Sequence, residues 1–95
     1  MLKEEASECF KLKKFKEAIV IYEKCLKLDF LNEKFNSTLY FNISMCHSEM
    51  KDYDSCIFAL DKCLRLNEFY AKAYMKRGET NMLLEDYEEA IKDFN

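Results

Sequence analysis

Lys72 and Lys76 stand four residues apart, with Arg77 directly after the second. On a helix that spacing places two ammonium groups one turn apart on one side. There they repel by roughly 0.2–0.5 kcal/mol. Binding an anion would reverse that small cost. Solvation makes it harmless instead, with Glu68 one turn before Lys72 to offset it. From spacing alone, solvated lysines are the favoured reading. Lys3 and Ser7 repeat the four-residue interval near the start, and Asn42 is a polar amide set in Leu39-Tyr40-Phe41-Asn42-Ile43-Ser44. Lys72 and Lys76 so placed could hold an anion through charge-assisted bonds.

Other chemistry finds little support. His47 lies on an apolar stripe with no nucleophile or carboxylate pattern beside it, so it reads as a packed histidine satisfied within the core. Glu4-Glu5, Asp52/Asp54 and Glu88-Glu89 read as solvated charges at helix starts that complement the dipole. There is no Gly-rich phosphate loop and no sign of a cofactor. The five cysteines Cys9, Cys25, Cys46, Cys56 and Cys63 are odd in number and contain no Cys-x-x-Cys. That argues against a disulfide framework and a zinc site, and for a reducing, cytoplasmic setting. The sequons at Asn36 and Asn42 are then chance matches. This segment is expected not to be an enzyme.

The elements that must position those donors are helical. The 95 residues contain no Pro and one Gly, Gly78, which disfavours a turn-rich β fold. Apolar residues at 49% and charged residues at 35% suit a folded, soluble domain. A net charge of −3 with interspersed signs gives no basic stripe for nucleic acid. No apolar run is long enough for a membrane span, and the charged start does not resemble a signal peptide. Ala18, Ile19, Tyr22, Cys25 and Leu26 follow a helical stripe, as do Cys56, Ile57, Leu60, Cys63 and Leu64. Leu39, Tyr40, Ile43, Cys46, His47 and Met50 form a third. The periodicity predicts helices near 2–12, 15–28, 34–49, 53–66, 70–82 and 86–95. Breaks at Lys13-Lys14, Lys51-Asp52 and Glu85-Asp86 fold them into hairpins, with Asp52 and Asp86 as N-caps.

The chain also repeats. Lys14-Phe15-Lys16-Glu17-Ala18-Ile19, Asp52-Tyr53-Asp54-Ser55-Cys56-Ile57 and Asp86-Tyr87-Glu88-Glu89-Ala90-Ile91 share one pattern. Phe15 and Tyr53 are 38 residues apart, and Tyr53 and Tyr87 are 34 apart. Glu23-Lys24-Cys25-Leu26-Lys27-Leu28-Asp29 matches Asp61-Lys62-Cys63-Leu64-Arg65-Leu66-Asn67. A 34-residue period is that of the tetratricopeptide repeat, which the chain resembles over its whole length. The first interval carries four extra residues, expected in the connection from Asp29 to Ser37. The family's usual Gly before each second helix is Lys13, Lys51 or Glu85 here, and its Pro after that helix is Phe30 or Glu68.

The resemblance implies an all-α, right-handed superhelix of helix hairpins. Repeat one spans about 1–32, repeat two about 37–70, and repeat three about 71–95, where it stops short. It implies small residues where helices approach closely: Ala6, Ser44 and Gly78; Ala18, Cys56 and Ala90; Cys25 and Cys63. Three cysteines therefore stand in for Ala as small apolar side chains. The incomplete third repeat leaves the face around Ala90, Ile91 and Phe94 uncapped. We expect a fragment of a longer protein, with self-association through that end as a consequence.

The arrangement is further similar to the carboxylate clamp of tetratricopeptide co-chaperones, including DnaJ-fused and immunophilin types. These bind the C-terminal Glu-Glu-Val-Asp tail of the seventy- and ninety-kilodalton heat-shock proteins. The resemblance implies peptide-binding roles for Lys3, Asn42 and Lys72, which match the clamp pattern, and for Ser7 and Lys76, which stand where Asn and Arg are expected. Arg77 is the neighbouring candidate for the missing guanidinium, and Met45 and Met75 are candidates for the groove floor. Lys for Arg keeps the charge without the planar fork, and Ser for Asn shortens the reach. The expected partner is a protein with an acidic C-terminus, held more weakly than by an unaltered clamp or chosen from a different set of tails. The competing expectations are a scaffold module that uses another surface, or the targeting arm of a catalytic domain outside this segment.

Overall fold

A computed structural model describes residues 2–28 and 32–84, apart from the side chains of Leu2 and Lys3. The expected helix over 86–95, the Asp86 cap and the Ile91–Phe94 face lie outside the described residues. Among the described residues there are five helices: α1 (Leu2–Lys11), α2 (Phe15–Leu28), α3 (Glu33–Glu49), α4 (Tyr53–Leu66) and α5 (Ala71–Leu83). Each packs on the next in the chain, and the short connections make successive helices antiparallel. Thus α1, α3 and α5 run the same way and form one layer, with α2 and α4 forming the other.

The two turns inside the hairpins are Schellman closures. Lys13 N–H donates to Phe10 C=O and Lys14 N–H to Cys9 C=O. Lys51 N–H donates to Ser48 C=O and Asp52 N–H to His47 C=O. Lys13 and Lys51 both sit at φ 62°, the left-handed region that Gly occupies without a Cβ penalty. The missing family glycines therefore left the turns unchanged, and lysine carries the backbone cost. Lys51→Gly is expected to stabilise the fold by about 1 kcal/mol, read as a higher urea midpoint with an unchanged slope. The Asp52 cap is as expected, with its Oδ1 accepting from Ser55 N–H at 3.3 Å.

The four extra residues behave differently from expectation. They do not lengthen a loop. Instead α3 begins at Glu33 and reaches 17 residues, against 13 in α5, the first helix of the next repeat. Four residues are close to one helical turn, so the insertion adds a turn without rotating the stripe that follows. Asn32 caps it, accepting from Phe35 N–H at 3.1 Å, and Asn36 and Ser37 are buried against the neighbouring helices.

One core joins the first two hairpins through Ala6, Ala18, Ile19, Tyr22, Cys25, Leu39, Ile43, Cys46 and Ala59. A second, of Cys56, Leu60, Cys63, Leu64 and Ala73, seats α5 on α4. Phe41 stacks on Tyr70 with centroids 5.2 Å apart, which ties α3 to the start of α5. The small residues lie where expected: Ala6, Ser44, Ala18, Cys56 and Cys63 are fully enclosed, and Gly78 is buried.

All five thiols are free, and only Cys9 is partly open. Burial pushes Cys46 and Cys63 from the ordinary value of 9.0 up to about 11. Cys56 is also raised by burial, opposed by its contact with Thr80. Thr80 donates its hydroxyl to Lys76 C=O at 2.7 Å, so the Cys56 thiol, 3.7 Å from Thr80 Oγ1, is the donor to it. Between the unfolded and folded thiol pKa values the unfolded chain holds fewer protons than the native state. Stability should therefore fall as pH rises from about 9 to about 11 and level off above. Denaturation midpoints across that range, with Cys46→Ala as the flattened comparison, provide the measurement.

Candidate peptide-binding groove

Two adjoining hollows run along the α1–α3–α5 layer. The first, about 380 Å³, is lined by Ser7, Phe10, Lys11, Tyr22, Phe41, Asn42 and Met45. The second, about 370 Å³, is lined by Phe41, Met45, Ala71, Lys72, Met75, Lys76 and Glu79. Phe41 and Met45 belong to both, so the hollows form one groove with α3 as its floor. Four expected site residues, Ser7, Asn42, Lys72 and Lys76, thereby share a face. Lys3 lies in the first turn of α1, one turn before Ser7, and its side chain is outside the described residues.

Arg77 is a correction. Its guanidinium lies 2.8 Å from Asp61 Oδ1 on α4 and 5.4 Å from the centre of the Tyr74 ring. One residue along a helix turns a side chain by about 100°, which carries Arg77 from the groove to the α4 side. It lines neither hollow.

The other cations are uncommitted. Among the described residues, Lys11, Lys72 and Lys76 have no ion-pair partner. Burial raises the Tyr22 phenol above its ordinary value, and a hydrogen bond with Ser7 partly opposes the shift. Ser7 and Asn42 both line the first hollow.

Several lining residues were not anticipated: Lys11, Phe10, Tyr22, Phe41 and Glu79. Lys11 was readable from its spacing, since it continues the line Lys3, Ser7 by one more turn. Glu79 follows Lys76 by three residues and shares its side of α5. Met45 and Met75 do line the groove.

His47 is packed, but it is not satisfied as expected. Its Nδ1 is buried without a hydrogen-bond partner, and Asp52 Oδ2 is 3.9 Å away, too far for a hydrogen bond. No group of three or more His, Cys, Asp or Glu among the described residues is placed to hold a metal ion. No described helix is long and apolar enough to cross a membrane.

The chain matches the tetratricopeptide repeat over residues 3–30, 37–70 and 71–95. It is 34% identical over 92 residues to human DnaJ homolog subfamily C member 7, covering 97% of this chain and 19% of that protein. It is 33% identical over 88 residues to the Hsp70/Hsp90 co-chaperone CNS1 of Saccharomyces cerevisiae, covering 93% of this chain and 23% of the relative. The chain thus spans about a fifth of the length of these curated relatives. Among solved structures, the first TPR of Spaghetti (RPAP3) bound to HSP90 peptide SRMEEVD superposes with a TM-score of 0.87 at 32% identity, covering 98% of this chain and 71% of that one. A repeat period, five antiparallel helices with small residues at their crossings, and these matches agree: the chain belongs to the tetratricopeptide repeat family.

Proposed function

We propose that this segment is a co-chaperone module that holds the acidic C-terminal tail of a heat-shock chaperone in the α1–α3–α5 groove. One observation carries the reading: Lys72 and Lys76, without ion-pair partners among the described residues, line the same continuous groove as Asn42, while Arg77 pairs with Asp61. The likeness to a repeat domain solved with an HSP90 peptide supports it. Unpaired ammonium groups gain charge-assisted bonds from a ligand carboxylate at no cost in broken internal pairs. Phe41, Met45 and Met75 supply apolar surface between them.

The segment itself acts by binding and not by catalysis; any catalysis in the full protein belongs to other domains. A reducing compartment, the cytoplasm, suits five free thiols. The test is calorimetric titration with a short acidic peptide, with its terminal carboxylate free and then amidated. Binding that requires the free carboxylate supports the reading, and no binding by the wild type ends it.

A further inference from the structure

The groove continues beyond the clamp positions. Lys11 lies one turn past Ser7 on α1, Met45 three residues past Asn42 on α3, and Glu79 three residues past Lys76 on α5. Since these helices run the same way, all three sit on the side toward their C-terminal ends. Lys11 and Met45 line the first hollow, and Met45 and Glu79 line the second. Both Lys11 and Glu79 are exposed, and neither has an ion-pair partner among the described residues. The groove therefore carries a free cation on one wall and a free anion on the other, with a thioether between them.

We infer that Lys11 and Glu79 form a second tier that reads the ligand upstream of its C-terminal residue. Lys11 takes an acidic side chain, and Glu79 takes a basic one. This rests on the tail-binding reading above. A uniformly acidic tail would meet Glu79 as a like charge, so the second wall selects against it. The reach is reasonable. From Lys72 to Glu79 the helix rises by about 10 Å, and an extended peptide covers that in roughly three residues. The preferred ligand is thus a tail that is acidic at its end and carries a basic residue a few positions before. The peptide SRMEEVD has that composition.

The test uses SRMEEVD and two variants, one with its Arg replaced by Glu and one with its first Glu replaced by Gln. The wild-type chain should bind the Arg peptide about threefold more tightly than the Arg-to-Glu peptide, the size expected of an exposed ion pair. Glu79→Lys should reverse that order. Lys11→Gln should weaken SRMEEVD by about threefold and leave the Gln peptide unchanged. Circular dichroism checks that both variants keep their helices. Equal affinity of the wild type for the Arg and Glu peptides overturns the tier, as does an order that survives Glu79→Lys. A Lys11→Gln loss that persists with the Gln peptide removes the role of Lys11. In each of those cases SRMEEVD still binds and the clamp stands; no binding of any peptide by the wild type instead overturns the tail-binding reading.

Discussion

A Lys72→Ala chain should bind an acidic C-terminal peptide at least tenfold more weakly than the wild type. Lys72 is exposed and has no ion-pair partner among the described residues, so its removal should leave the fold intact. On binding, the ligand covers it and a carboxylate takes up its charge. A charge-assisted bond of that kind contributes roughly 1.5–3 kcal/mol, and 1.4 kcal/mol is a factor of ten. Amidating the peptide removes the partner charge and should have an effect of the same order. The two changes should not add, since each deletes the same interaction. Arg77→Ala is the contrast. Arg77 faces Asp61, so its loss should touch stability slightly and affinity hardly at all. Comparable losses of affinity from Lys72→Ala and Arg77→Ala would place the peptide elsewhere.

That contrast marks what the amino-acid order could and could not disclose. The repeat period fixed which helices share a layer, and i, i+4 spacing put Lys72 and Lys76 on one side of α5. Both are properties of a helix and its neighbours. Arg77 required more: its direction depends on where α4 presents Asp61, 16 residues earlier in the chain. The inserted four residues were visible as a longer interval, yet whether they would loop out or coil depended on Asn32 capping a new turn. The lysines at φ 62° show the reverse case. The turn signal was absent from the sequence, but hairpin packing held the turn regardless, because the cores on either side outweigh a local backbone cost of about 1–2 kcal/mol.

The cores also set the largest stability effect. Leu60→Ala should destabilise the chain by about 2–5 kcal/mol, because Leu60 is fully enclosed and the lost side chain leaves a cavity. Leu60 belongs to the core of Cys56, Cys63, Leu64 and Ala73, against which Tyr40, Phe41, Tyr70 and Tyr74 pack. A domain of this size has only about 5–15 kcal/mol in total. Each kcal/mol moves the melting midpoint by roughly 4–8 °C, so a fall on the order of 10–30 °C is expected in thermal denaturation. Leu28→Ala, at a site 74% exposed, should change the midpoint little. The two leucines are alike in chemistry and differ in enclosure, so the pair isolates packing from hydrophobicity. In a stacked array each unit leans mainly on its neighbours. Leu60 seats α5 on α4, so the damage should fall first on the wall that carries Lys72 and Lys76. Leu60→Ala should therefore lose peptide affinity at temperatures where α1 to α3 remain helical, whereas Lys72→Ala loses affinity with no change in melting. Hydrogen exchange should show α5 opening before α2 in the Leu60 variant. Uniform opening of all five helices would instead show that the two cores melt as one.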